Sequence, residues 1–220
     1  MTTYDTVLFD SDGVLVTPPA AETQATATRD AFAAMGVDDV DSGVIDELVA
    51  GVSPDRVREL CGRYDLEPDR FWTTWEDHDE RSQFEQFRAG RRDCYDDLEA
   101  IDAIAQPCGV VSNNHHSTIE FVLEHFDLEP WFDRYYGRPK TLESLSLQKP
   151  NTHYLERALA DFEATNALYI GDSEHDVTAA HDAGMDSAFV RRPHTADVSL
   201  AVEPTYDVDG LLEVASIVAE

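Results

Sequence analysis

The sequence predicts an α/β protein, a doubly wound parallel sheet, with a small α-helical domain inserted after the first strand. Three observations carry this expectation. From Cys94 onward, short apolar runs alternate with helical segments of about 10 to 15 residues, the pattern of strands joined by crossover helices. From Thr17 to about Gly90 the texture is helical throughout. Finally, 220 residues suffice for one well-buried core and a smaller appended domain, since single domains commonly run to about 100–200 residues. The expected division is a core of residues 1–16 and 90–220 and a helical domain of residues 17–89.

The elements follow in order. "YDTVLF", Tyr4 to Phe9, is a β-favouring run stopped by turn residues and reads as a buried strand. "AETQATATRDAFAAMG" holds helix formers up to a glycine stop, and "SGVIDELVAG" is a second short helix. "SPDRVRELCGRY" opens with Ser53 as N-cap and Pro54 at the first helical position. Phe71, Trp75, Phe84 and Phe87 recur at three- and four-residue spacings, an aromatic stripe that reads as the core of the helical domain. Beyond it, "YDDLEAIDAIA" reads as a helix, "PCGVVS" as a strand, "STIEFVLEHFDL" as a helix and "DRYYG" as a strand. "NTHYLERALADF" (helix), "NALYIG" (strand), "HDVTAAHDAG" (helix) and "DSAFVR" (strand) complete the alternation.

Charge is the compositional outlier. Sixteen Lys and Arg stand against 45 Asp and Glu, a formal net charge of −29. Such a surface repels nucleic acid and anionic membranes, so neither is an expected partner. The acids are spread along the whole chain, which predicts adaptation to molar salt, where the Debye length falls to about 3 Å and self-repulsion is screened. No apolar segment approaches the roughly 20 residues of a membrane span. Met1 to Asp5 lacks the basic start of a signal peptide, and a soluble cytoplasmic protein is expected. Cys61, Cys94 and Cys108 are widely spaced and odd in number, which suggests neither disulfides nor zinc.

In an open parallel sheet, ligands collect at the carboxyl ends of strands. Polar residues stand at four such places: Asp10 and Asp12 after the first strand, Ser112 and Asn113 after "GVV", Lys149 before a helix, and Asp172 and Asp176 after "LYI". Taken singly, each has an ordinary structural reading as turn residue, helix-dipole partner or surface group. Together they read as a site. Asp172 and Asp176 lie four apart at a helix start, so both carboxylates can face one point, and all-oxygen donors favour a hard ion such as Mg²⁺.

The strings "DSDGV", "VVSNN", "QKPN" and "GDSEHD" resemble, in order, the four motifs of the haloacid dehalogenase superfamily. The likeness runs from Val7 to about Gly184, and "GDSEHDVTAAHDAGM" is similar to the branch of phosphoglycolate phosphatase and β-phosphoglucomutase. The resemblance implies that the helical insertion is a cap domain over a Rossmann-like core. It implies a Mg²⁺-dependent phosphatase acting on a small phosphorylated metabolite through an aspartyl-phosphate. Asp10 would be the nucleophile and Asp12 the general acid and base. Lys149, Ser112 and the backbone amide of Asn113 would bind the phosphoryl oxygens. Asp10, the backbone carbonyl of Asp12, and Asp172 would hold the ion, with Asp176 direct or through water. Two departures from the family pattern, "KPNT" for "KPxP" and "VTPP" after the first motif, affect loop stiffness and the cap hinge rather than a catalytic group.

Three other activities compete. The superfamily's dehalogenases displace at carbon and lack an acid at the second aspartate position, which Asp12 fills. A mutase shares the aspartyl-phosphate, and "GVSPDRVREL" resembles a substrate-contacting cap element of that branch, which makes Arg56 and Arg58 candidate substrate ligands. A non-catalytic binding relative would keep the fold alone. His115, His116 and His175 lie near the motifs but are expected to be solvated and are given no role; Arg191 and Arg192 read as surface groups. Specificity is expected where cap meets core.

Overall fold

The computed structural model describes residues 3–219; Met1, Thr2 and Glu220, which the expected ranges include, lie outside them. The chain divides into two compact units. One comprises the chain up to Thr17, Asp93–Gly137 and the chain from Gln148 onward; the other comprises Pro18–Arg92 and Arg138–Leu147.

The first unit is built on β1 (Thr6–Phe9), β2 (Cys108–His115), β3 (Arg134–Arg138), β4 (Ala167–Gly171), β5 (Asp186–Val190) and β6 (Tyr206–Val208). They form a six-stranded parallel sheet in the order β3-β2-β1-β4-β5-β6. Helices α5 (His116–His125), α6 (His153–Asp161), α7 (Glu174–Asp182) and α8 (Leu211–Ala219) flank it. All four residues of β1 and all five of β4 are buried, as strands covered on both faces must be. Leu8 and Phe9 are wholly inaccessible, and each such side chain stabilises the fold by roughly 1.5–3 kcal/mol.

The chain runs outward from β1 through β2 to β3, then returns to place β4 on the other side of β1. The switch point therefore lies between β1 and β4, where open sheets bind ligands. In register, Phe9 faces Val110 on one side and Ile170 on the other. The next residue along each strand reaches the same rim.

The second unit holds α1 (Ala21–Ala34), α2 (Ser42–Ala50), α3 (Pro54–Arg63) and α4 (Pro68–Arg88). Ser53 caps α3 by accepting from the Arg56 amide, with Pro54 opening the helix. Phe71, Trp75 and Phe87 are buried as the stripe predicts, but Phe84 is half-exposed beneath the Arg88 guanidinium. Glu76, Asp79 and Gln83 take buried places on α4 that the aromatic pattern does not foretell. The reason lies far away in sequence. Residues 138–147 join this unit, and Arg138 forms a buried two-pronged ion pair with Glu76.

Two other expectations change. "YDDLEAIDAIA" forms not an α-helix but a 3₁₀ segment over Leu98–Ala103. Its first residues are spent elsewhere: the Tyr95 amide donates to Leu15 O at 3.1 Å, and Asp97 Oδ2 accepts from the Leu211 amide and Arg192. β6 and α8 extend the alternation past "DSAFVR". Cys61 and Cys108 are buried and Cys94 half-buried; burial pushes their thiols up to about 11, 12 and 12 respectively. Among the described residues, no helix is long and apolar enough to cross a membrane.

Candidate active site

Asp10 is the first residue past β1, and its amide donates to Ile170 O at 2.8 Å, carrying the ladder one step beyond the strand. The chain then turns sharply. Gly13 adopts φ +80°, and a Cβ there would lie 1.8 Å from Asp172 Oδ2. Only glycine lets the loop after β1 pass this close to the loop after β4. Gly171 serves the same end, since a Cβ on it would fall 2.2 Å from the Asp176 Cβ.

Ser173 and Asp176 form a reciprocal capping box at the start of α7. Asp176 Oδ2 accepts from Ser173 Oγ at 2.6 Å, from the Ser173 amide at 3.0 Å and from the Asp172 amide at 3.2 Å. Its other oxygen lies 2.6 Å from Lys149 Nζ. This one side chain thus both caps α7 and pairs with Lys149. Ligand oxygens of Asp10, Asp172 and Asp176 lie within 4.8 Å of one another. Three converging carboxylates, with no softer donor in the cluster, suit a hard divalent cation.

Lys149 is the counter-charge. It is buried, and Nζ lies 2.9 Å from Asp10 Oδ2 and 2.6 Å from Asp176 Oδ1. Burial alone would lower its pKa, but Asp10 and Asp176 outweigh this and hold the ammonium above the ordinary lysine range. Burial pushes Asp10 up to about 7 against the opposing Lys149, with Asp176 and Asp172 adding to the rise. Burial and then Asp176 likewise push Asp172 up to about 7. With all three acids ionised, the cluster carries more negative charge than one lysine neutralises.

Asn113 and Ser112 come from the end of β2. The Asn113 side chain accepts from the Lys149 amide at 2.7 Å and donates to the Lys149 carbonyl at 3.2 Å, clamping that residue's backbone. Buried Ser112 accepts from the Asn114 amide at 3.3 Å. Asp12 is half-buried, and its Oδ2 accepts from Asn114 Nδ2 at 2.8 Å, so its carboxylate is steered by a neighbour outside the acid cluster. The six residues Asp10, Asp12, Ser112, Asn113, Lys149 and Asp172 share this rim with Asp176. Arg56, by contrast, sits in the helical unit, where Glu47 binds it at 2.5 and 3.0 Å and Glu59 at 2.7 Å.

Several participants escape a reading of the sequence alone. Tyr169 is fully buried in β4; its hydroxyl accepts from Lys149 Nζ and donates to Val111 O at 2.7 Å. Its only signal is a polar atom in an otherwise apolar strand. Arg192 is not a surface group but buried, paired with Asp97 at 2.9 Å and bonded to Val14 O at 2.8 Å. His115 is buried rather than solvated, next to Thr118 Oγ1 at 3.3 Å. His194 reaches Asp172 Oδ2 with Nε2 at 2.7 Å. Burial and Arg192 hold its pKa below the usual imidazole value.

The chain resembles known proteins in three ways. An (S)-2-haloacid dehalogenase from Pseudomonas fluorescens is 26% identical over 126 residues, covering 56% of this chain and 54% of that one. Pyrophosphatase PpaX from Bacillus cereus is 24% identical over 129 residues, 57% of this chain and 58% of its own. The chain thus spans about half the length of the curated relatives it matches. Two crystal structures share the fold: CbbY from Rhodobacter sphaeroides in complex with phosphate (TM-score 0.71, 19% identity, 96% of both chains) and a predicted phosphoglycolate phosphatase from Haemophilus somnus 129PT (TM-score 0.69, 19% identity, 99% of both). The family model for haloacid dehalogenase-like hydrolases matches residues 7–190 and takes in every residue of the rim, and the chain belongs to that family.

Proposed function

We propose that this hydrolase is a Mg²⁺-dependent phosphatase that cleaves small phosphate monoesters through a phosphorylated Asp10. One observation carries the reading: a buried nucleophile candidate, Asp10, is held against Lys149 inside a cluster of three carboxylates at the sheet's switch point. Phosphate monoesters resist attack because ester and nucleophile are both anionic, so a site must supply positive charge and position.

In the proposed course, an Asp10 oxygen bonds to phosphorus as the ester P–O bond breaks. Asp12 gives its proton to the departing oxygen. Water then attacks the phosphorus of the aspartyl-phosphate, Asp12 takes the proton, and inorganic phosphate leaves with the Asp10 carboxylate restored. Lys149 Nζ neutralises phosphoryl oxygens throughout, while Ser112 donates a hydrogen bond to them. Asn113 fixes the Lys149 backbone by accepting from its amide and donating to its carbonyl. Asp10, Asp172 and the Asp12 carbonyl would hold the ion, which would supply charge that the lysine alone does not. The Asp176 oxygens already accept from the Asp172 amide, the Ser173 amide and hydroxyl, Lys149 and the Tyr169 hydroxyl, so this residue orients its neighbours and would meet the ion through water. Arg56 is already neutralised by Glu47 and Glu59 and receives no part in phosphoryl transfer.

The dehalogenase relative favours a second reading, displacement of halide from a 2-haloacid. Asp12 and the carboxylate cluster count against it, since that displacement needs neither a leaving-group acid nor a divalent ion. Release of phosphate from p-nitrophenyl phosphate and a panel of sugar phosphates, with and without Mg²⁺, tests the proposal. Mg²⁺-dependent phosphate supports it; halide release from an (S)-2-haloacid with no phosphate release overturns it. Isomerised product from a hexose 1-phosphate would mark a mutase instead.

The net charge of −29 supports a cytoplasmic protein of a salt-rich cell, with no nucleic-acid or membrane partner.

A further inference from the structure

We propose that His194 is a positioning residue: its Nε2–H donates to Asp172 Oδ2 and holds that carboxylate in the orientation in which it meets the divalent ion. The inference rests on the ion-dependent phosphatase reading above.

The contact is short, 2.7 Å, and joins residues 22 apart in sequence through two different strand ends. His194 Nδ1 lies 3.5 Å from the Tyr95 hydroxyl. With that hydroxyl donating to Nδ1, the ring proton resides on Nε2, the tautomer that donates to the carboxylate.

The imidazole is delivered by a fixed turn. Arg192 anchors it: the guanidinium bonds Asp97 and the Val14 carbonyl and lies 3.9 Å from the centre of the Tyr95 ring. Thr195, also buried, accepts from the Arg192 amide at 2.9 Å and donates its own amide to Arg192 O at 2.9 Å. The histidine between these two pinned residues leaves 33% of its side chain exposed, and its two ring nitrogens reach Asp172 and Tyr95.

Asp172 needs such a partner. Its carboxylate fills the place that a Cβ on Gly13 would take, 1.8 Å from Oδ2, and so packs against the loop after β1. The Asp172 amide is shared between Asp176 Oδ2, 3.2 Å away, and its own carboxylate. His194 supplies a donor that restrains the remaining freedom, the role that hydrogen-bonding neighbours of metal ligands commonly play. It does not join the three clustered acids as a ligand.

The test measures ion binding directly. Mn²⁺ is titrated into wild type, His194→Phe and His194→Gln in molar potassium chloride, which screens the acidic surface, and free Mn²⁺ is counted by electron paramagnetic resonance. His194→Phe is expected to bind about 10- to 100-fold more weakly. His194→Gln, which keeps an N–H donor, should recover most of that loss, a rescue that a purely structural role would not produce. Equal affinity in His194→Phe and wild type overturns the inference and leaves the phosphatase reading standing. So does equal weakening in both variants. If wild type binds no ion, the inference falls together with the reading beneath it.

Discussion

Lys149 Nζ lies 2.9 Å from Asp10 and 2.6 Å from Asp176, one ammonium bridging two acids from opposite sides of the switch point. Lys149→Met removes this charge and leaves the acids facing each other. Turnover of p-nitrophenyl phosphate is expected to fall by about 10²–10³-fold, the usual cost of losing one preorganised donor to a transition state. Lys149→Arg should not rescue it, because a planar fork does not replace a point charge enclosed by Asp10, Asp176 and Tyr169. Activity within a few-fold of wild type in either variant would remove Lys149 from the mechanism.

Gly13 permits the approach of two loops. Gly13→Ala forces a side chain into φ +80° and into the Asp172 carboxylate. The backbone strain alone costs on the order of 1–3 kcal/mol. Since about 1 kcal/mol shifts the melting temperature of a chain this size by about 2–4 °C, calorimetry should show a drop of several degrees. Divalent-ion affinity should fall with it. An unchanged melting temperature would show that the turn is not built as described.

Ion binding should be coupled to proton release. Asp10 and Asp172, ordinarily near 3.8, are pushed up to about 7 in the ion-free protein. The folded chain therefore retains protons that the unfolded chain has already lost. These two groups withdraw stability as pH rises from about 4 to about 7, and the loss is complete above that range. A cation that requires both carboxylates ionised must displace the retained protons. Affinity should thus climb between about pH 5.5 and 7.5 and then level off. Titration calorimetry near pH 6 in two buffers of different ionisation enthalpy reads the released protons; identical heats would contradict the coupling.

The acidic surface predicts a salt response of its own. With 45 acids against 16 bases, raising potassium chloride from about 0.1 M to about 1 M shortens the Debye length from about 10 Å to about 3 Å. The melting temperature is expected to rise over that range. No change would mean that this charge does not burden the folded state.

What the sequence displays and what it hides divide along physical lines. The sheet was legible because buried strands such as "TVLF" and "ALYIG" announce themselves locally, and each ends at a polar residue whose position in order is informative. The partners of the site were not. Tyr169 is hidden by being an aromatic in a strand, Asn114 by following an asparagine with a role of its own, and His194 by lying 22 residues beyond the aspartate it touches. Arg138 and Glu76 are 62 residues apart, and nothing in either local sequence foretells a buried ion pair. Such contacts depend on which loops the fold brings together. The 3₁₀ segment after Asp97 makes the same point on a smaller scale, since Leu15, Arg192 and Leu211 claim the groups a helix would have used.

Asp10 itself is the most direct place to look. Asp10→Asn keeps the size and most of the hydrogen bonding of the side chain but not its nucleophilic oxygen. Phosphate release by this variant, measured in molar potassium chloride with saturating Mg²⁺ and with folding confirmed by circular dichroism, is predicted to fall to background. Release at the wild-type rate would show that no phosphoryl group passes through this carboxylate.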